Sequence, residues 1–218
     1  MNSRDRRGIY MSSVQKYFDI LRKIKDTSIA TVAQDGTPRV RIIDTMLVED
    51  EKLYFLTARG KDFYRELMET GHVAVTGLNE KWETVRLQGK VKNVGQDLLD
   101  RIFEENPSMN QVYPGDTRNI LEVFCMSEGE GEYFCLAKEP IVRHPFAFGR
   151  NGFHRKGFEI GEECIGCGTC VSVCPQKCIE EGTPFHIRQM NCLHCGTCFE
   201  NCPVEAIIRR DGVEAGSC

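Results

Sequence analysis

Apolar residues first recur at helical spacing. Val14, Tyr17, Phe18, Leu21 and Ile24 fall on one face, which predicts a helix running to about Lys25, with Ser12-Ser13 placed to cap it. The pattern then shifts towards the shorter period of strands. Residues 28–33 read as a strand, Asp35-Gly36 is a turn signal, and Pro38 follows. Residues 40–48 read as a second strand, with Val40, Ile42, Met46 and Val48 on one face. Residues 49–52 turn the chain and 53–57 form a third strand. A helix over 61–69 ends at Gly71, and strands at 73–78 and 84–94 follow. Leu98, Leu99, Ile102 and Phe103 line one side of a helix over 96–105, which stops before Pro107. A hairpin closes the series: 120–127, a Glu-Gly-Glu-Gly turn, then 132–137. Short strands with turns at this frequency predict a small β-barrel with flanking helices.

Beyond residue 140 the periodicity fades and cysteine takes over. Of 12 cysteines, only Cys125 and Cys135 precede residue 140. This shift divides the chain into a domain over 1–145, a linker over 146–158 and a cysteine-rich domain over 159–218. The stretch around the linker carries Arg143, His144, Arg150, His154, Arg155 and Lys156 among Phe146, Phe148, Phe153 and Phe158. Two readings stand: phenylalanines that dock the linker beneath solvated charges, or cations that face an acidic redox partner or the substrate. The 41% hydrophobic content can supply a core, and no apolar run reaches the ~18 residues of a membrane span. A polar, basic start without a hydrophobic segment is not a secretory signal, and so many thiols suit a reducing cytoplasm. A net charge of −4 argues against nucleic-acid binding.

The cysteines are strictly ordered. The run Cys164-x2-Cys167-x2-Cys170-x3-Cys174-Pro175 repeats 28 residues later as Cys192-x2-Cys195-x2-Cys198-x3-Cys202-Pro203. Two-residue gaps let one tight loop offer three sulfurs to one inorganic core. Structural zinc also uses Cys-x2-Cys pairs, but a doubled run of this kind is not among its usual spacings. The pattern resembles bacterial-type two-cluster ferredoxins. That resemblance implies a small (βαβ)2 ferredoxin-like domain with two [4Fe-4S] clusters, in which the fourth cysteine of each run serves the other cluster. One cluster then takes Cys164, Cys167, Cys170 and Cys202; the other takes Cys192, Cys195, Cys198 and Cys174. Cys178 aligns with Ala206 and reads as a small core residue. Cys125, Cys135 and Cys218 have no spacing relation to the runs. His194, between two ligands, reads as a loop residue or as a hydrogen-bonding tuner of potential.

The N-terminal part carries a second resemblance. The order helix, Ile29-Ala30-Thr31-Val32, Asp35-Gly36-Thr37-Pro38-Arg39-Val40-Arg41, Leu53-Tyr54-Phe55-Leu56-Thr57-Ala58-Arg59-Gly60-Lys61 and Val85-Arg86-Leu87-Gln88-Gly89-Lys90-Val91 resembles the pyridoxamine 5′-phosphate oxidase family across residues 10–140. It implies a mainly β chain of α+β type: an FMN-binding split β-barrel, usually homodimeric, with flavin at the dimer interface. The family pattern assigns Arg41 and Lys61 to the FMN phosphate and sets Thr57 and Ala58 where a strand end approaches the flavin. Arg39 joins Arg41 as a candidate, although alternating charge on an exposed strand would also produce both. A solvated helix start is the alternative for Lys61, but a lysine there opposes the macrodipole, and a bound anion would relieve that conflict. Thr84 falls where the oxidases themselves carry a flavin-contacting glutamine. The arginine and histidine those enzymes use for pyridoxal phosphate are not evident, so a vitamin B6 oxidase is not expected. Trp82, the only tryptophan, suits flavin stacking, the core or a dimer interface.

Together the two resemblances imply an iron–sulfur flavoprotein oxidoreductase. A redox protein such as a ferredoxin would reduce the clusters, and FMN would pass electrons to a small organic acceptor. His72 and Tyr113 are candidate acids. A pure electron carrier between protein partners is the alternative, and relatives of the barrel that hold a deazaflavin or haem keep the identity of its cofactor open.

Overall fold

A computed structural model describes residues 14–150 and 152–210 and the backbone of 213–214. The Ser12-Ser13 cap and Cys218 lie outside these. Among the described residues the elements are α1 (Gln15–Ile24), β1 (Asp26–Val32), β2 (Pro38–Asp44), β3 (Leu47–Glu49), β4 (Lys52–Ala58), α2 (Asp62–Thr70), β5 (His72–Leu78), β6 (Glu83–Asn93), α3 (Leu99–Glu105), α4 (Met109–Val112), β7 (Leu121–Cys135) and β8 (Val142–Phe148). The cysteine-rich part adds β9 (His154–Arg155), β10 (Phe158–Ile160), α5 (Thr169–Val173), β11 (Ile179–Glu180), β12 (His186–Ile187), α6 (Thr197–Glu200), β13 (Ile207–Arg209) and β14 (Val213–Glu214).

By internal contacts the described residues form two compact units. The first comprises 14–79, 84–131 and 146–150; the second comprises 80–83, 132–145 and 152 onward. The units interleave along the chain, because the 80–83 turn and the far ends of β7 and β8 group with the cysteine-rich segment.

The first unit is a curled antiparallel sheet in the order β2-β1-β5-β6-β7-β4-β3, with β8 paired to β7. This is the sheet of a split barrel, flanked by helices. Tyr17, Phe18 and Leu21 of α1 are buried, as the helical spacing requires. The αL residue Gly71 ends α2, with its N–H donating to the carbonyl of Leu67. β4 is buried almost throughout and pairs with β7 from Leu53↔Met126 to Ala58↔Leu121. Met46, Tyr54, Leu56, Ile102, Phe103 and Val123 belong to one core cluster beneath this pair.

Three local readings change. The second strand breaks in two, β2 and β3, with Thr45 and Met46 between them. Met46 turns into the core, whereas Val40 and Ile42 stay 70% and 62% exposed on the edge strand β2. The expected 120–137 hairpin is one continuous strand, β7, of 15 residues. Its glycines are there for close packing. A Cβ on Gly129 would lie 2.3 Å from the Gln88 carbonyl oxygen and 2.8 Å from the Phe148 ring, and one on Gly131 would lie 2.5 Å from the Phe146 ring. Phe146 and Phe148 therefore belong to a strand, β8. They are buried, with Phe146 stacked on Tyr17 and Phe148 edge-on to Phe18.

The second unit repeats itself at the 28-residue offset. Antiparallel β10–β13 corresponds to β12–β11, and α5 corresponds to α6. The αL pairs follow the same register: Gly166 with His194, Gly168 with Gly196, and Lys177 with Glu205. Strands of two or three residues leave a small core, and Cys170, Cys178, Cys192 and Cys198 are part of it.

Candidate functional site

All eleven described cysteines are free. The repeat folds their loops around two recesses. Cys164, Cys167, Cys170 and Cys202 line one, walled by Ile160, Ile165, Phe185, Val204 and Ile207. Cys174, Cys192, Cys195 and Cys198 line the other, walled by Phe158, Ile179, Ile187 and Leu193. Each set takes three sulfurs from one loop and the fourth from the other half of the repeat. The αL conformations at Gly168 and Gly196 start α5 and α6 immediately before Cys170 and Cys198. Gly166 supplies a further αL turn at no steric cost, whereas its counterpart His194 holds φ +57° with a side chain.

Donors surround the sulfurs. The Ala206 N–H donates to Cys202 Sγ and the His194 N–H to Cys192 Sγ, both at 3.3 Å. The Thr169 and Thr197 hydroxyls lie 3.4 Å from Cys167 and Cys195. Cys178, buried, sits 3.6 Å from Cys174 Sγ and also lines the second recess. The proximity of Cys178 and Cys192 draws the Cys192 thiol below the ordinary range and pushes Cys178 up. Burial pushes the Cys198 thiol up to about 11. Soft sulfur ligands in apolar walls suit iron–sulfur or zinc chemistry. Among the described residues no three His, Cys, Asp or Glu side chains converge on a single ion. Four thiols of the two runs line each recess, the donor number that a multi-iron core uses.

Six predicted residues lie in the barrel. Arg41 Nη1 sits 2.9 Å from Glu66 Oε2 and donates to Thr31 Oγ1 at 2.8 Å, and the guanidinium lies 4.6 Å from the Phe63 ring centroid. Thr31 also hydrogen-bonds to Glu66. Burial opposes ionisation of Glu66, but the bonds from Thr31 and Arg41 outweigh it and hold the carboxyl below its ordinary value. Among the described residues, Nη2 and Nε of Arg41 keep no hydrogen-bond partner, so the group stays oriented beside the first turn of α2 with donors to spare. Lys61 is exposed at the cap of that helix. Arg39 is exposed in a recess it shares with Arg65 and four carboxylates, Asp35, Asp62, Glu66 and Glu69. Thr57 and Ala58 end the buried strand β4. Thr57 Oγ1 is buried without a hydrogen-bond partner, an omission worth about 1–3 kcal/mol that a bound group with a polar atom would relieve. Thr84 is the second residue of β6, opposite Leu78.

Other candidates separate. His72 is exposed and bonds back to the Thr70 carbonyl. Tyr113 packs on the barrel core. Trp82 is 58% exposed at φ +58°, which excludes the core role.

Two polar groups escaped the sequence reading. Glu122 accepts from Tyr64 (2.7 Å), Asn93 and Arg59 (3.4 Å). The Asn93 and Tyr64 bonds hold its carboxyl low. Arg143, which the sequence leaves either solvated or facing an acidic partner or the substrate, is 11% exposed and paired with Glu132. Both networks join residues far apart in sequence, so the sequence pattern does not reveal them.

Residues 14–121 match the family described as pyridoxamine 5′-phosphate oxidase, and residues 163–206 match the 4Fe-4S dicluster domain. Among solved structures, a NimC/NimA family protein from Clostridium acetobutylicum is 24% identical, with 62% of this chain and 92% of that chain covered at a TM-score of 0.54. A protein of that organism related to general stress protein 26 of B. subtilis, of the pyridoxinephosphate oxidase family, is 14% identical (62% and 93% covered, TM-score 0.50). These likenesses concern the fold. No curated protein matches the chain. The chain thus joins a domain of the pyridoxamine 5′-phosphate oxidase family to a 4Fe-4S dicluster domain.

Proposed function

We propose that the chain is an iron–sulfur flavoprotein oxidoreductase that moves electrons between two [4Fe-4S] clusters and FMN to reduce a small organic acceptor. One observation carries this reading: eight thiols stand in two sets of four around two apolar recesses. Cys164, Cys167, Cys170 and Cys202 would hold one cluster, and Cys192, Cys195, Cys198 and Cys174 the other. Bound clusters supply single electrons, and a flavin can combine them into two-electron chemistry.

The barrel's residues would bind and orient the flavin. Arg41, fixed by Glu66 and Thr31, offers its remaining N–H donors to the phosphate. Lys61 and the first turn of α2 add positive charge and free N–H groups. Thr57 offers its unpartnered hydroxyl from the end of β4, next to Ala58, and Thr84 would approach from β6. Arg39, among carboxylates, would contribute least to an anion.

A homodimer fits the exposed Val32, Val40 and Ile42 on and beside the edge strand β2, which a second protomer would cover. Free thiols suit a reducing cytoplasm. No helix among the described residues is long and apolar enough to cross a membrane.

The electron-carrier alternative has its own support. Ile165, Met190, Phe199, Val204 and Ile208 are exposed on the cysteine-rich unit, a surface on which a redox protein such as a ferredoxin could dock. The two readings part in one experiment. Protein reduced anaerobically with dithionite is mixed with nitro, quinone and enone compounds while flavin and cluster absorbance are followed. Reoxidation by a small acceptor, with saturation, is the expected result. Reoxidation by an oxidised ferredoxin alone would establish the carrier.

A further inference from the structure

The 28-residue repeat makes the two sulfur sites comparable position by position, and they are not equivalent. Arg143 stands at the second site only. Its Nε donates to the Cys192 carbonyl at 3.1 Å and its Nη2 approaches the Leu193 carbonyl at 3.5 Å. Nη1 pairs with Glu132, and the guanidinium lies 4.8 Å from the Phe134 ring centroid. The group is almost dry and held on several sides. Flanking bonds fasten the same segment to both loops of the second site. The Asn191 amide donates to the Ile141 carbonyl at 2.8 Å, and the Ile141 N–H donates to Gln176 Oε1 at 3.5 Å. Cys164 and Ile165 are the counterparts of Cys192 and Leu193, and among the described residues no side chain donates to their carbonyls. Glu162 and Glu163 precede Cys164, where Met190 and Asn191 precede Cys192. The thiol of Cys178 also faces the second site, and its counterpart Ala206 has no sulfur.

An electron added to a cluster deepens its negative charge. A fixed, dry cation and an extra S–H donor both stabilise that charge, so both raise the reduction potential. Given the two-cluster reading above, we propose that Arg143 is a positioning residue that makes the sites unequal, so that the first electron entering the chain settles on the cluster of Cys192, Cys195, Cys198 and Cys174. The residue acts through the ligand loop it grips and through its charge.

The test is an anaerobic dithionite titration with mediators, followed by electron paramagnetic resonance, on the full chain and its variants. Iron and sulfide are counted first. Fewer than about eight irons in the unaltered protein would defeat the two-cluster reading itself, separately from this inference. With eight irons, two potentials are expected, separated by at least a tenfold electron partition, about 59 mV for one electron. Arg143→Gln lowers the higher potential and leaves the lower one, and Arg143→Lys restores part of the difference. Glu132→Gln removes the neutralising carboxylate and raises the higher potential, a shift of opposite sign that loosened packing would not produce. Cys178→Ala lowers the same potential and so identifies it with the second site. Equal potentials in the unaltered protein would overturn the inference, as would a Glu132→Gln protein with eight irons and no upward shift. The Glu132→Gln result also decides the matter if Arg143→Gln fails to retain iron.

Discussion

At the scale of single residues, the barrel's most constrained polar group is Glu66. It is nearly buried between Thr31 and Arg41, and its carboxyl is held below the ordinary value. Glu66→Gln removes the charge partner of Arg41 and should cost about 2 kcal/mol, the scale of a hydrogen bond to a charged group. Urea midpoints at neutral pH would show it. The sign with pH follows from linkage. A carboxyl held low in the fold contributes stability above its unfolded pKa of about 4.3 and loses it as pH falls through the folded value. The gap between Glu66→Gln and the unaltered protein should therefore be full at pH 7 and shrink towards pH 3. A gap independent of pH would mean that the ion pair is not what the substitution removes. Thr57 gives a second prediction. If its lone hydroxyl meets the flavin, Thr57→Val should fold normally yet bind FMN about tenfold more weakly, as lost flavin fluorescence quenching would report. Motif order picks out Arg41, Lys61 and the eight cysteines of the two runs as the proposed cofactor residues. The settings of Glu66, Glu122 and Arg143 were not legible, because their partners are distant in sequence: Thr31 and Arg41 for Glu66, Tyr64 and Asn93 for Glu122, and the Cys192 loop for Arg143.

At the scale of elements, periodicity located α1, α2 and most of the sheet. It failed at 120–137, where glycines normally signal a turn and here serve close packing of β6, β7 and β8. Gly129→Ala tests that account. Its Cβ would strike backbone that cannot move aside, so a loss of about 1–3 kcal/mol is expected from overpacking, seen as a lowered melting temperature. A turn glycine in open space would tolerate alanine far better. The strand at 40–48 was misread for a different reason. Val40 and Ile42 follow the alternation of a buried face but lie on an exposed edge strand, so a sequence pattern cannot distinguish a core face from an interface face. If that edge is a dimer interface, Ile42→Lys should shift the protein to monomer in analytical ultracentrifugation without unfolding it.

At the scale of the whole molecule, the two units rest on different kinds of core. The barrel buries aromatic and aliphatic side chains across an eight-stranded sheet. The cysteine-rich unit has short strands and a core that includes four cysteines, three of them predicted ligands. Its folding should therefore depend on the metal. Removing iron with a chelator under oxidising conditions should abolish hydrogen-exchange protection across 158–209 while β4, β5 and β6 stay protected. The repeat that makes this unit so legible in sequence is the ligand spacing itself. The flavin contacts proposed above are single residues on three strands, β2, β4 and β6, and at the cap of α2.

The proposed function requires one chain to carry two clusters and a flavin. Iron, sulfide and flavin analysis of anaerobically purified protein, with its ultraviolet–visible spectrum, tests it most directly. About eight irons and one FMN per chain are expected, with iron–sulfur absorbance beneath the flavin bands. Zinc in place of iron, or eight irons with no flavin, would contradict it.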